Sequence, residues 1–235
     1  MWRQVFNLPK KRPVENRSPH SVTISSSLDV MSSILDNVSM IQDTAVSVNE
    51  LIAQRVRELR NARGLSLEAL AARCGVSRSM ISLIERGESS PTAVLLEKLA
   101  AGLNVSMASL FEVPRPAAGP VARLAQQLSW RDPESGYVRR NVSPSGVASP
   151  IQIVEVSFPP QARVAYETGA RDVLVHQQVW VLEGSIEVTV GDDRHRLHAG
   201  DCLALVLDRP IVYHNPTRKP ARYAVVIATE VTSRR

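Results

Sequence analysis

Residues 64–91, GLSLEALAARCGVSRSMISLIERGESSP, constrain this chain more than any other stretch. Ser66 stands where a helix needs an N-cap, its hydroxyl able to accept an orphan backbone N–H, and Glu68 follows in a first turn where the helix dipole favours an anion. Leu70, Ala71 and Cys74 then recur at helical spacing and form one apolar stripe. Gly75 ends that helix, because the left-handed C′ conformation carries no steric penalty for glycine. Val76 fills the corner, and Ser77 caps a second helix that buries Met80 or Ile81 together with Ile84. Its outward positions are Arg78, Ser79, Ser82 and Leu83. Gly87 stops it, and Ser90-Pro91 opens another helix by a cap followed by proline at the first helical position. Two short helices about a glycine-containing corner, the second starting with small polar and basic residues, make the layout of a helix-turn-helix.

The flanking sequence supplies the rest of a small helical domain over 46–112. Ile52, Val56 and Leu59 make the buried face of a first helix whose other sides carry Arg55, Arg57, Arg60 and Arg63. Leu95, Leu96, Leu99 and Leu103 supply a fourth helix, Asn104 tolerates the left-handed residue that ends it, and Ser106 caps a short fifth helix through Leu110 and Phe111. Residues 51–86 hold seven arginines against three glutamates, and the whole chain carries a net charge of +5 with a pI near 9.6. That balance suits a nucleic-acid partner without proving one.

The segment Leu51 to Phe111, with its GVS turn, its IERGESSPT segment and its LNVSMASLF ending, resembles the phage-repressor (Xre) family of DNA-binding domains. The resemblance implies that the helix from Ser77 lies in the major groove of duplex DNA. Arg78, Ser79, Ser82 and Arg86 are then directed to bases or nearby phosphates, and Arg78 can reach guanine O6 and N7 with two prongs. The hydroxyls of Ser66 and Ser77, at helix N-termini, would position phosphates. Family members often carry glutamine after the first cap, whereas this chain has Leu67. So small a module binds weakly alone, and a two-fold homodimer reading half-sites about 34 Å apart is the usual remedy.

At 235 residues the chain has room for two ordinary domains. No run of eighteen apolar residues exists and the N-terminus has no apolar region with a cleavage site, so the expectation is a cytoplasmic protein without a membrane span. Cys74 and Cys202 lie in different elements and read as small core residues in a reducing compartment. Residues 1–45 hold the KKRP cluster, further prolines and a serine-rich run. They read as a disordered extension with at most a short helix around Leu28, Met31, Leu35 and Val38, or as the product of an upstream start, with Met31 or Met40 as the beginning.

Val113 to Pro120, VPRPAAGP, marks a semi-rigid linker, and a second domain follows over 121–235. Its period changes to that of strands: Ile151–Val156, Val179–Leu182, Ile186–Val190, Cys202–Leu207 and Tyr223–Ile227 are short β-branched runs with turn signals between them. The expected fold is therefore multidomain α + β, a five-helix DNA-binding domain followed by an antiparallel β-barrel. The run VLEGSIEVTVGDDRHRLHAGD, Val181 to Asp201, resembles the cupin (double-stranded β-helix) domain, with a core over about 151–229.

The same resemblance shows where this chain departs. Enzymatic cupins hold a metal with two histidines and a glutamate from a first motif and a histidine from a second. The glutamate position falls on Gln177 and the later histidine on Ile211, while Asn215 matches the asparagine that ends the motif. An amide and an isoleucine do not replace a carboxylate and an imidazole in a divalent site. A shifted set of Glu167, Asp172, His176 and His214 is the weaker route, and strand alternation turns both histidines outward. No metal, no cofactor and no catalysis are expected. The barrel mouth offers Gln177, Ile211, Tyr213 and Asn215, with Tyr166, Glu167 and Arg171 on the adjoining loop, a mostly apolar pocket with a few polar groups suited to a small effector. Arg171 for a carboxylate and Glu167 for an amine would fit an amino acid or an amine. Outward Trp180 is a candidate contact for a homodimer. The sequence-level expectation is a ligand-responsive transcriptional regulator; a cupin metalloenzyme with an accessory DNA-binding domain and a ligand-independent repressor are the alternatives.

Overall fold

The computed structural model of the chain describes residues 47–112, 119–147, 149–167 and 173–231. Ser47 opens helix α1 (Val48–Ala62) through a capping box: its hydroxyl accepts the Glu50 N–H at 3.2 Å and its own N–H donates to Glu50 Oε2 at 2.7 Å. Helix α2 (Leu67–Cys74) is capped by Ser66 and helix α3 (Arg78–Glu85) by Ser77, as the cap chemistry requires. Between them Gly75 takes φ +66 and Val76 is buried. Of the two candidates on α3, Ile81 is the buried one, beside Ile84. Helix α4 (Ala93–Gly102) starts from Thr92, whose hydroxyl accepts the Leu95 N–H at 3.3 Å; Ser90-Pro91 lies just ahead of it and does not form the cap. Asn104 has φ +55, the left-handed residue expected there.

The expected fifth helix is a 3-10 stretch, Met107–Phe111, so the domain has four α-helices. Only five residues separate the Ser106 cap from Glu112, and the chain closes them with i→i+3 bonds, Ser109 N–H to Ser106 O at 3.0 Å and Glu112 N–H to Ser109 O at 3.4 Å.

The remaining chain forms strands β1 (Ser129–Arg131), β2 (Val138–Asn141), β3 (Ile151–Phe158), β4 (Arg163–Tyr166), β5 (Val173–Glu183), β6 (Ser185–Val190), β7 (Asp193–His198), β8 (Cys202–Val206), β9 (Ile211–His214) and β10 (Ala221–Val231). They make a six-stranded sheet, β1-β2-β3-β10-β5-β8, and a four-stranded sheet, β4-β9-β6-β7, with antiparallel pairing throughout. The expected closed barrel is therefore two sheets. One of the crossings between them is at Gly184, the single residue between β5 and β6, which lie in different sheets. Its φ is +78, and a Cβ there would stand 2.9 Å from the Pro220 carbonyl oxygen, so glycine alone fits the corner that swings the chain from one sheet to the other. Inward residues such as Val179, Val181, Phe158 and Tyr223 meet Ile186, Val188, Ile211 and Tyr213 across the core, while Trp180 and Ile151 on the outer face remain about half exposed. Cys74 is buried as expected, but Cys202 is exposed, because it pairs with Trp180 at the start of an edge strand and shares its outward face.

Asn215 does not line the cavity described below. Fully buried, it donates from Nδ2 to the carbonyls of Pro159 (3.0 Å) and Lys219 (2.8 Å) and accepts from the Thr217 N–H (3.0 Å) and hydroxyl (2.8 Å). Its expected ligand role is thereby replaced by bracing two loops, since every polar atom is already engaged. Replacement by alanine orphans these groups and should cost about 2–3 kcal/mol. Calorimetry on the full chain should show a melting temperature lower by roughly 4–12 °C at that cost; an unchanged midpoint would mean the loops close without this side chain. The helices and sheets described all belong to one contact unit, 46–235, and no described helix is long and apolar enough to cross a membrane.

Candidate nucleic-acid interface and a cavity at the domain seam

Helix α3 is fixed by a buried ion pair that sequence patterning does not reveal. Glu85, with its side chain 5% exposed, accepts from Arg60 Nε at 2.7 Å and Nη2 at 2.8 Å, and Arg57 Nε lies 3.8 Å away. Arg60 also donates to the Leu65 carbonyl at 2.9 Å, and the Glu85 hydrogen bonds raise its pKa. With Ile81 and Ile84, this pair holds the inner face of α3 against α1. The outer face is thereby left to solvent.

That outer face collects the anticipated residues. Ser77, Arg78, Ser79 and Arg86 are exposed and Ser82 is half-buried. The Ser66 and Ser77 hydroxyls are occupied as acceptors of the Ala69 and Met80 N–H groups, and Ser77 Oγ lies 3.2 Å from Ser79 Oγ. Arg78 Nε sits 2.7 Å from Glu68 Oε1 on α2, with both side chains more than half exposed. The Glu68 carboxyl lies below its ordinary value, first through its own backbone N–H, then the Ser66 hydroxyl and lastly Arg78. Arg86 grips Glu88 with Nε and Nη2 at 2.7 and 2.8 Å and also meets Ser82 Oγ. Exposed pairs of this kind are weak, so either guanidinium can exchange its carboxylate for a phosphate or a base edge. The count of seven arginines overstates the free charge, since Arg55, Arg57 and Arg60 are engaged by Glu58, Glu85, Glu112 and backbone carbonyls.

The second candidate site lies where the helices meet the sheets. Trp130 on β1 packs edge-on against Phe111 of the 3-10 stretch (centroids 5.7 Å) and Tyr137 (5.9 Å). Asp132, almost fully buried, accepts the Ala93 N–H at 2.9 Å at the start of α4 and the Ser135 N–H at 2.9 Å. Arg139 on β2 sets its guanidinium 5.2 Å from the Phe111 ring centroid. Behind this seam is a cavity of about 60 Å³. Tyr166, Gln177, Ile211 and Tyr213 line it as the sequence suggested. Glu167 does not; its side chain is 80% exposed and pairs with Lys98 of α4 at 3.1 Å. Arg171 lies outside the described residues.

Sequence reasoning missed Glu97, Ser106 and Met107 from the helical domain, Tyr137 and Arg139 from the unassigned stretch after the linker, and Tyr223. The only signal was the pair of aromatics, Trp130 and Tyr137, beside strands too short to show a period. Burial pushes the Tyr137 phenol up to about 12 and raises Tyr166, Tyr213 and Tyr223 as well, so all four phenols stay neutral. The Tyr137 and Tyr166 hydroxyls lie 3.3 Å apart, Tyr213 donates to Gln177 Oε1 at 3.3 Å, and the Tyr213 and Tyr223 rings stack at 5.9 Å.

Gln177 and Ile211 both face this cavity, where an enzymatic cupin places a carboxylate and an imidazole; the residues present do not fit a divalent cation. His176 pairs with Glu230 (3.7 Å) and His214 with Glu187 (3.6 Å), apart from each other in different sheets, and Asp172 lies outside the described residues. Among the described residues no three His, Cys, Asp or Glu side chains converge.

Fold and site together define a helix-turn-helix domain seated on a cupin domain. Residues 56–110 match the Helix-turn-helix family (HTH_3) and residues 162–227 match the Cupin domain family (Cupin_2), so the chain carries a DNA-binding helix-turn-helix domain of the Xre type followed by a cupin domain. It is 47% identical over 47 residues to the HTH-type transcriptional regulator SutR of Escherichia coli (strain K12), across 20% of this chain and 26% of that one. The match thus spans about a quarter of that relative's length. Among solved structures it is similar to an HTH_3 family transcriptional regulator from Vibrio cholerae, at 28% identity and a TM-score of 0.61, covering 77% of this chain and 96% of that chain. The hydroxypropylphosphonic acid epoxidase from S. wedmorenis aligns at 17% identity with a TM-score of 0.38, covering 77% of this chain and 97% of that one.

Proposed function

We propose that the protein is a cytoplasmic, sequence-specific DNA-binding transcriptional regulator whose cupin domain binds a small-molecule effector, and that it has no catalytic activity. The observation that carries this is the outer face of α3, where Ser77, Arg78 and Ser79 stand in solvent at the N-terminal end of a helix fixed from behind by Glu85. An N-terminal end of that kind is the part of a recognition helix that meets base edges. The 28% identity to an HTH_3 family transcriptional regulator from Vibrio cholerae, over nearly all of that chain, supports the same assignment.

The protein acts as a two-fold dimer, with the outer face of the six-stranded sheet around Trp180, Ile151 and Ile153 as the contact. The effector acts through position: the cavity has one wall from the DNA-binding domain, so a ligand there has different contacts when the two domains are seated and when they are not. Gln177 and Ile211 in the cavity argue against the metalloenzyme alternative.

The test is selection of DNA fragments from a random duplex library by the full-length protein. The expected winner is a pseudo-palindrome with half-sites about 34 Å apart, bound with an affinity that falls steeply with salt. Equal affinity for selected and random duplexes would remove sequence-specific regulation.

A further inference from the structure

Arg139 is out of place for a structural residue. The residue is 7% exposed, yet among the described residues Nε and Nη2 have no hydrogen-bond partner. Buried guanidinium groups are rare and almost always bonded, because each unmet N–H loses its water without replacement. Burial is also the largest influence on its pKa, which falls, with Tyr137, Tyr166 and Glu97 among the groups that offset the fall. Glu97 therefore offsets part of the charge but leaves the two N–H groups unmet.

The unmet groups form one edge of the guanidinium. The guanidinium carbon lies over the Phe111 ring, 5.2 Å from its centroid, a contact that supplies no oxygen acceptor for that edge. The same chain shows what such an edge takes: Arg60 uses Nε and Nη2 to hold the Glu85 carboxylate at 2.7 and 2.8 Å, and Arg86 holds Glu88 the same way. A carboxylate is the planar, two-oxygen partner that fits.

The cavity limits the rest of the molecule. Its volume of about 60 Å³ is well below the roughly 150 Å³ that admits a benzene-sized guest, so the ligand has only a few carbon atoms. Val156, Val164 and Val225 in the lining suit an alkyl chain, and neutral phenols from Tyr137 and Tyr166 add hydroxyls near the acid group. The Glu97 carboxylate in the same lining disfavours a dianion such as phosphate.

We propose that the cavity binds a short aliphatic monocarboxylate whose two oxygens close on the Nε–Nη2 edge of Arg139. This rests on the effector reading above and names the ligand class for it. Arg139 then becomes the link between effector and DNA-binding domain, because the ring it lies on, Phe111, belongs to the 3-10 stretch that ends that domain.

The experiment titrates full-length protein with acetate, propionate, butyrate and valerate, and with the corresponding amides, by calorimetry and thermal shift. One or more of the acids should bind and raise the melting temperature, and the amides should bind at least tenfold more weakly. Arg139→Met should fold with undiminished stability, since it removes N–H groups that nothing satisfies, and should lose the acid response. Should that variant fail to fold, Arg139→Lys keeps the charge without the fork and should still weaken acid binding tenfold. The proposal is overturned if no acid binds, if acids and amides bind alike, or if the variant that folds responds as the native protein does. DNA selectivity of the ligand-free native protein is measured alongside. Its loss with acid binding intact overturns the regulator and spares the site, and the converse result overturns only the site.

Discussion

Glu85→Ala should destabilise the DNA-binding domain by about 2–4 kcal/mol, among the larger effects any single substitution in this chain can have. The change removes the carboxylate that Arg57 and Arg60 share at a position 6% exposed, and leaves the Arg60 fork facing a cavity. The upper end of the usual range for a broken buried pair is not reached, because Arg60 is 14% and Arg57 51% exposed, so water reaches part of the charge. Urea unfolding followed by helix signal should show the loss in full. Glu85→Gln keeps one acceptor for Arg60 and should lose roughly half as much. Operator affinity should fall with stability, since the Arg57 hydrogen bond to the backbone carbonyl of Glu85 holds the end of α3 without the carboxylate that fixes Arg60. A loss below about 0.5 kcal/mol, within the scatter of surface changes, would show that Ile81 and Ile84 alone seat the helix.

Arg78→Ala should leave stability untouched and operator preference reduced roughly 10- to 100-fold, which is about 1–3 kcal/mol for one two-pronged base contact. The side chain is 66% exposed and its partner Glu68 is equally open, so the fold does not depend on it. Weak, salt-sensitive binding to any duplex should remain, because Arg86 and the capped helix ends still meet phosphates. The measurement is the ratio of dissociation constants for the selected operator and a scrambled duplex at one salt concentration. An unchanged ratio would take base reading away from this residue and from the proposed docking of α3.

Much of the helical domain was legible because its signals are local. Ser66, Ser77 and Ser106 cap, Gly75 and Asn104 turn left-handed, and Ile81 and Ile84 face inward, each decided within four residues along the chain. Five of the strands were legible for the same reason, a period of two in β-branched runs such as Ile186 to Val190. Strands β1, β2, β4 and β9 hold three or four residues each, too few for a period to emerge, and β7, DRHRLH, is polar at almost every position. The Thr92 cap was hidden by Ser90-Pro91, an equally good start signal two residues earlier.

The site divides the same way. Gln177 was placed by alternation in a β-branched run, Ile211 and Tyr213 through the second cupin motif and Tyr166 as a residue of the adjoining loop, and the cavity is lined by all four. Asn215 matched a motif and proved to be a brace, because a side chain with every atom satisfied by its own loops has nothing left for a ligand.

By itself, then, the sequence determined the four α-helices, five of the ten described strands, the serine caps at Ser66, Ser77 and Ser106, and which face of α3 is polar, since propensity, capping and periodicity act over a few neighbouring residues. Only the tertiary structure decided that Glu85 is an anchor, that Asp132 meets α4 from 39 residues away, and that Arg139 and Glu97 share one cavity with four tyrosines. Those outcomes depend on chain segments far apart in sequence excluding water together, and no local pattern encodes which buried charge will find which partner.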